Sequence, residues 1–349
     1  MIKLCIVGDG LSLHTQRWMS EMLQRNFEVS LITDAPVQLD NIQTFVVPRK
    51  WGSLSWFSGI FKVRKIVRSI QPDIIHGHYI TSYGLWAMSS PCAIKVLTAW
   101  GSDLLITAKQ NRITRFITRW IIQQAHWITA DSQQLVDEVN HYHAPADEVQ
   151  WGIEFDRVAN IAMDTNKNQF RFISLRLWKP VYHIEDIIQA FATVCHKYPD
   201  IPMQLCLLAG GILKPALNQL VDRLSIRQQV KLIGAVSEAD MLFYLKNSDV
   251  SITIPESDGT SMSLLESMAM KLPVIASDLP ANHEWLTEQG AIFISNVDTL
   301  SQAMETLLLD ENLRHTMGNI NYTNILERAN RQTEMNKVAE KYTQLVTSN

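Results

Sequence analysis

The sequence predicts an α/β protein of two doubly wound domains, and three observations carry that reading. At 349 residues the chain exceeds what one hydrophobic core usually serves, so two domains of roughly 150 to 200 residues are expected. Short apolar runs alternate with amphipathic segments along most of its length, as buried parallel strands joined by crossover helices do. The alternation stops once, in a polar stretch from Trp151 to Asn168, and then begins again.

The first series places strands near residues 2–7, 29–33, 43–47, 73–76, 94–98 and 127–130, with helices near 14–25, 56–69, 82–88, 109–124 and 132–140. The second places strands near 170–175, 203–209, 230–233, 249–254, 273–276 and 291–294, with helices near 184–197, 215–225, 238–246, 263–270 and 298–309. A last helix, about 330–346, carries Met335, Val338, Tyr342 and Val346 on one side. The expected organisation is a first domain over residues 1–152, a linker over 153–168, a second domain over 169–329, and a C-terminal helix over 330–349 that can cross back to the first. Open α/β sheets bind ligands beyond the carboxyl ends of their strands, so two such domains imply a cleft. A cleft suits a two-substrate reaction and equally a hinged binding protein.

Composition narrows the class. With 46% hydrophobic and 19% charged residues and a net charge of −4, this is an ordinary folded chain with no global reason to bind nucleic acid. Residues 1–152 hold 14 Lys+Arg against 12 Asp+Glu, leaving 17 against 23 for the rest, so the first half is the surface better suited to an anion. Cys5, Cys92, Cys195 and Cys206 have neither metal-ligand nor redox spacing and suit reduced core residues. Neither a basic leader nor an 18-residue apolar run is visible, so a cytoplasmic protein that does not span the membrane is expected.

The most informative stretch is residues 257–278, SDGTSMSLLESMAMKLPVIASD. A small-residue loop feeds a helix expected to start near Ser263, and such a helix start offers backbone N–H groups and a positive dipole end to a phosphate. Gly259, Thr260, Ser261 and Met262 supply the amides. Asp258 and Glu266 are odd neighbours for a phosphate alone but sensible partners for sugar hydroxyls. The same residues also read as a capped turn, with Ser263 as N-cap and Glu266 closing a capping box.

The string from Asp258 to Glu266, two carboxylates seven residues apart, resembles the signature of retaining GT-B glycosyltransferases of family 4 (group 1 type), usually written with glutamate at both ends. Residues 171–191, RFISLRLWKPVYHIEDIIQAF, and WGIEFD at 151–156 extend the likeness over nearly the whole chain. It implies the GT-B fold, two Rossmann-like doubly wound domains facing across a cleft. It also implies transfer, with retention, of a hexose or N-acetylhexosamine from a nucleoside diphosphate sugar, UDP-sugar by family frequency, to a glycan or lipid-linked acceptor in polysaccharide or glycoconjugate synthesis.

Carried over residue by residue, Asp258 meets the donor sugar, Glu266 the ribose, and Arg176 the diphosphate, for which its fixed charged fork is well suited. The family's second phosphate cation is a Lys; here Tyr182 stands at the aligned position, with Lys179 three residues earlier. In the first domain Gly8-Asp9-Gly10 is a strand-to-helix turn that lacks the full dinucleotide fingerprint; Gly10 matches one of the family's two diphosphate-facing glycines. His78 and Asp103 stand just beyond strand ends, His76 reads as a strand residue, and Trp100 with Asp103 in TAWGSD are candidates for acceptor and donor-sugar contact, with His14 and Tyr79 beside them. Asp103 joins Asp258 and Arg176 as a candidate catalytic residue.

No Asp-x-Asp pair or His/Cys cluster suggests a cation site, so no cofactor and a metal-independent reaction are expected. Two acid-free runs are basic and aromatic. The first holds Arg49, Lys50, Lys62, Arg64, Lys65 and Arg68 with Trp51, Trp56, Phe57 and Phe61; the second holds Lys109, Arg112, Arg115, Arg119 and Trp120. They suit peripheral contact with anionic lipid at the inner face of the plasma membrane, or an ordinary solvated helix face. A sugar-nucleotide epimerase on the same fold and a non-catalytic sugar-nucleotide-binding protein are the alternatives to a transferase.

Overall fold

The computed structural model describes residues 1–49, 55–105, 107–150, 152–258 and 260–348. It divides into two compact units, Met1–Trp151 with Arg331–Asn349, and Gly152–Asn330.

In the first unit the chain runs β1 (Lys3–Val7), α1 (Leu13–Gln24), β2 (Glu28–Thr33), β3 (Gln43–Val46), α2 (Ser55–Ile70), β4 (Ile74–His78), α3 (Tyr83–Met88), β5 (Ile94–Ala99), α4 (Ser102–Leu105), α5 (Arg112–Gln123), β6 (Trp127–Ala130), α6 (Gln133–Asn140) and β7 (Asp147–Glu148). The strands form one parallel sheet in the order β3-β2-β1-β4-β5-β6-β7, with Cys5 opposite Ser30 on one side and Ile75 on the other. Central strands are buried on both faces, which is why β1 reads as an apolar run rather than as alternation, while β4, equally buried, carries His76 and His78 within the sheet. Strand order reverses between β1 and β4, so the loops following those two strands open side by side.

The second unit runs α7 (Phe155–Ala159), β8 (Phe170–Ser174), α8 (Ile184–Lys197), β9 (Met203–Leu208), α9 (Lys214–Arg223), β10 (Val230–Gly234), α10 (Glu238–Lys246), β11 (Val250–Thr253), α11 (Met262–Ala269), β12 (Val274–Ser277), α12 (Pro280–His283), β13 (Ala291–Ile294), α13 (Val297–Leu309) and α14 (Glu311–Arg328). Its parallel sheet has the order β10-β9-β8-β11-β12-β13, and the reversal falls between β8 and β11. The loops after these strands, 175–183 and 254–261, are therefore neighbours. Glu256 N–H donates to Val181 O at 2.8 Å and joins them.

α15 (Arg331–Thr347) belongs to the first unit. Its Met335, Val338 and Tyr342 are fully buried, whereas Val346 is half-buried.

Besides the short α4, β7 and α12, which were not expected, and β4, which runs on to His78, the structure differs from the sequence reading in two longer stretches. Residues 153–168, expected as a linker, are stapled onto the second unit: Ile153 and Val158 join its core, and the buried Asn247 amide accepts from Asp164 N at 2.6 Å and donates to Ala162 O at 3.1 Å. Polar composition there reflects side-chain ties to irregular backbone rather than freedom. Ile153 N–H also donates to Ala329 O at 2.7 Å, which brings the two ends of this unit together. α14 was not expected, because its buried stripe is filled by polar and small residues. Asn321 donates to Leu272 O and Gly290 O, and Gly318 sits where a Cβ would lie 2.0 Å from Lys271 O.

Candidate active site

In the second unit the site is built on the loops after β8 and β11. Arg176 follows β8 by two residues and is only 9% exposed. Its Nη2 donates to Asp258 Oδ2 at 2.5 Å; its Nη1 donates to Ser261 Oγ and, at 3.4 Å, to Ser263 Oγ. The face of the guanidinium lies over the Tyr182 ring, 4.4 Å from its centroid. Tyr182 closes a short 3-10 turn (Pro180–Tyr182), whereas Lys179 is exposed and has no side-chain partner among the described residues.

α11 starts one residue earlier than expected, at Met262, with Ser261 as N-cap. The expected capping box is not formed, because Ser263 lies inside the helix; Ser261, which takes the N-cap place, makes no cap bond with its Oγ, which accepts from Arg176 and bonds Ser263 Oγ at 2.9 Å. The start of α11 is thus wired to a cation rather than closed on itself. Thr260 and Met262 are half-buried beside it, Glu266 lies one turn further along the helix and is also half-buried, and Gly259 falls outside the described residues. Ser174 Oγ and Thr253 Oγ1, at the ends of β8 and β11, are buried hydroxyls with no hydrogen-bond partner among the described residues. Such groups ordinarily mark a place for water or ligand. The arrangement is an anion-binding cation at a helix N-terminus, occupied at rest by a carboxylate.

In the first unit the structure brings together His14 and Trp100, which follow β1 and β5, and His78, expected just beyond a strand end but found as the last residue of β4. His14 stacks on Trp100 with ring centroids 5.3 Å apart, and His78 meets Trp100 edge-on at 5.6 Å. His78 is fully buried, its Nδ1 3.3 Å from Thr15 Oγ1 and its Nε2 without a hydrogen-bond partner among the described residues. Burial, with the neighbouring His14 charge, takes its pKa down to about 3, so it is neutral at physiological pH. Burial and Arg17 lower His14 as well. Tyr79 is half-buried and turns the chain in a left-handed conformation, φ 71°.

Two expected site residues have other duties. Asp103 is buried, with Oδ2 accepting from Ile80 N at 2.8 Å and Oδ1 from Trp100 N at 3.2 Å and Leu104 N at 3.1 Å. Burial raises its pKa against the lowering effect of those bonds. It clamps the loops carrying Tyr79 and Trp100 and has no exposed face for a sugar. The Gly10 amide, expected to face the diphosphate, donates to Thr33 Oγ1 at 3.1 Å; glycine is needed there because a Cβ would lie 2.6 Å from Val37 Cγ1.

Behind His78 lies a buried network that sequence reasoning missed. Trp18 Nε1 can only donate, so at 3.1 Å it donates to Tyr342 Oη, and the Tyr342 hydroxyl in turn donates to His76 Nδ1 at 2.6 Å. The His76 proton therefore sits on Nε2, which donates to Thr98 Oγ1 at 2.7 Å, and Thr98 bonds Thr129 at 2.7 Å. Burial, with the His78 charge, holds the His76 pKa well down, in agreement with a neutral ring. His76 and His78 share one strand face, their rings 4.6 Å apart, so α15 supports the ring cluster from within the same unit. The only available signal was Tyr342 on the apolar side of a helix far along the chain.

Among the basic residues expected at a surface, Arg112, Arg115 and Arg119 are exposed on α5, alternating with Ile113 (73% exposed), Phe116 (73%) and Trp120 (39%). On α2, Lys62, Lys65 and Arg68 are exposed with Phe57 and Phe61. Arg64 instead donates to Ser89 O, Arg49 pairs with Asp34 and stacks on the half-buried Trp56, and Lys109 pairs with Glu138. Lys50 and Trp51 lie outside the described residues. Among the described residues no helix is long and apolar enough to cross a membrane, and no cluster of three His, Cys, Asp or Glu could hold a metal ion.

Residues 3–132 match the family model described as Glycosyl transferase 4-like, and residues 161–324 match that described as Glycosyl transferases group 1. The chain belongs to the group 1, family 4 glycosyltransferases. Its two parallel-sheet units are those of the GT-B fold. A glycosyltransferase from Rickettsia africae superposes with a TM-score of 0.84 at 14% identity, covering 100% of this chain and 99% of its own. The Anabaena protein HepE, crystallised in complex with UDP, gives 0.79 at 14% identity over 99% of this chain and 100% of its own. Among curated proteins, this glycosyltransferase is 24% identical over 275 residues to the N-acetyl-alpha-D-glucosaminyl L-malate synthase of Bacillus anthracis, an alignment covering 74% of this chain and 71% of that enzyme.

Proposed function

We propose that this glycosyltransferase moves a hexose or N-acetylhexosamine from a nucleoside diphosphate sugar, preferentially a UDP-sugar, to a glycan or lipid-linked acceptor, with retention of anomeric configuration. One observation carries the donor reading: Arg176, nearly buried, is held at the N-terminus of α11 with its polar edge turned to Asp258 and two serines. UDP in the HepE complex and the N-acetylglucosaminyl group in the name of the Bacillus relative support the donor class.

In this reading the donor diphosphate replaces Asp258 on Arg176, assisted by the amides of Gly259, Thr260, Ser261 and Met262. Asp258, released, accepts a hydrogen bond from a sugar hydroxyl, and Glu266 accepts from the ribose. His14 and Trp100 contact the acceptor, with Tyr79 beside them; His78, also expected at the acceptor, is fully buried and packs edge-on against Trp100 instead. The acceptor oxygen bonds to the anomeric carbon on the face from which the nucleoside diphosphate departs. The carbon–oxygen bond to the β-phosphate breaks with its electron pair going to that phosphate, which takes the acceptor proton. Arg176 stabilises the charge that develops on the leaving group, so the step runs without a divalent cation. The exposed arginine and aromatic stripe of α5 and the basic face of α2 hold the enzyme against an anionic membrane, where a lipid-linked acceptor resides.

The test is incubation with UDP- and GDP-sugars, each alone and with lipid-linked or glycan acceptors, in EDTA. A transferase releases nucleoside diphosphate only when acceptor is present, an epimerase changes the sugar nucleotide without acceptor, and a binding protein does neither. Product anomeric configuration is read by NMR. Arg176→Ala is expected to lower kcat by roughly 100- to 1000-fold, the usual effect of removing a donor to developing anionic charge. Undiminished transfer in both Arg176→Ala and Asp258→Ala would remove the site assignment.

A further inference from the structure

Arg176 is held in two different ways. Its polar edge is engaged by Asp258, Ser261 and Ser263, and these N–H groups are the ones a phosphate must take over. Its guanidinium carbon also lies over the Tyr182 ring, 4.4 Å from the centroid, and none of the hydrogen bonds named above goes to Tyr182. Exchange of carboxylate for phosphate therefore leaves the stacking intact. The ring is itself well fixed. Tyr182 N–H donates to Lys179 O at 3.0 Å, the ring packs against the core of its unit, and the following His183, in a left-handed conformation, pairs with Asp186 at 2.9 Å.

We propose that Tyr182 is a positioning residue for donor binding: its ring face holds the Arg176 guanidinium in the orientation that meets the donor phosphates. This rests on the donor-site reading of Arg176 given above. A long side chain carries much rotamer freedom, and a contact that survives ligand exchange removes that freedom before the ligand arrives. Lys179, exposed at the start of the same turn, takes no part.

The experiment measures UDP and GDP binding to the full chain by isothermal titration, for wild type and for Tyr182→Phe, Tyr182→Leu, Arg176→Gln and Tyr182→Leu with Arg176→Gln. Phe keeps the ring face and is expected to bind as wild type does, whereas Leu is expected to weaken binding roughly 2- to 30-fold, the range of a cation–π contact. In the Arg176→Gln background the Leu change is expected to add nothing, because Tyr182 acts through Arg176. A Leu variant binding like wild type, or losing as much in the Gln background, overturns the proposal while leaving the donor site standing. So does a Phe variant as weak as Leu. Arg176→Gln binding both nucleotides undiminished, or a wild-type chain that binds neither, overturns the donor-site reading and this proposal with it.

Discussion

Tyr342→Phe tests the buried network of the first unit with the smallest possible change. The hydroxyl is shared, accepting from Trp18 Nε1 at 3.1 Å and donating to His76 Nδ1 at 2.6 Å, while the ring is fully buried among Trp18, Phe27, His76 and Trp127. Phe preserves the packing and removes only the oxygen, so Trp18 loses this acceptor and His76 loses its donor in a place water does not reach. Each such loss costs about 1–3 kcal/mol, so a total of about 2–6 kcal/mol is expected. His76 cannot recover by moving its proton, because without the hydroxyl Nδ1 loses its partner in either tautomer. For a unit of about 170 residues this lowers the midpoint of thermal unfolding by about 5–20 °C. Because two units can unfold separately, the cleaner assay is native-state amide exchange of β1 and β4, which reports the opening free energy of the first unit alone. A loss below about 1 kcal/mol would refute the shared-hydroxyl reasoning, as would a nitrogen NMR spectrum showing His76 protonated at Nδ1.

The same unit is expected to be acid-labile. His76 and His78 are neutral in the folded state down to low pH, so below about pH 6.5 the unfolded chain takes up protons that the folded chain refuses, and stability falls with falling pH. For His78 this amounts to about 2 kcal/mol at pH 5, and His78→Gln should remove about that much of the loss measured between pH 7 and pH 5; an unchanged pH dependence would exclude His78 as a source. Replacing Arg112, Arg115 and Arg119 by Gln is expected to weaken sedimentation with phosphatidylserine vesicles about 100-fold, at about 1 kcal/mol per charge near an anionic surface, and equal binding by variant and wild type would end the membrane reading. Gly318→Ala must push a methyl group against Lys271 O, where an ideal Cβ lies at 2.0 Å, so soluble yield and urea midpoint should both fall.

Much of the architecture was legible because buried parallel strands leave a plain mark. Leu4, Cys5, Ile6 and Val7 form an apolar run with no polar alternation, whereas the short edge strand β7, Asp147–Glu148, is exposed and carries no such mark. α14 was hidden because Asn321 and Gly318 occupy its buried stripe, one for its hydrogen bonds and one for its small size. The site divides along a similar line. Asp258 could be named from the loop that feeds the start of α11, which is visible in sequence, and Arg176 from the family resemblance of residues 171–191. Asp103 could not be separated from a ligand-facing acid, because its partners, the amides of Ile80, Trp100 and Leu104, are backbone groups without a residue signature. The same holds for Gly10, whose amide goes to Thr33, 23 residues away.

The two departures from the family pattern meet at Arg176, and their chemistry fits together. Asp258 lacks one methylene relative to glutamate, yet its carboxylate reaches Nη2 at 2.5 Å. Tyr182 stands where a second cation is expected and lies under the face of the same guanidinium. A lysine in that position would put a like charge beside Arg176, whereas an aromatic ring attracts it through its negative π face. Removing one cation also lowers the positive charge available to a diphosphate, which places more of the burden on the orientation of the remaining one and on the amides at the start of α11. Restoring the family residues tests this directly. If Asp258→Glu and Tyr182→Lys are each worse for UDP affinity than wild type, and their combination recovers a part of the loss, the two positions changed together around Arg176; strictly additive effects would make them independent substitutions.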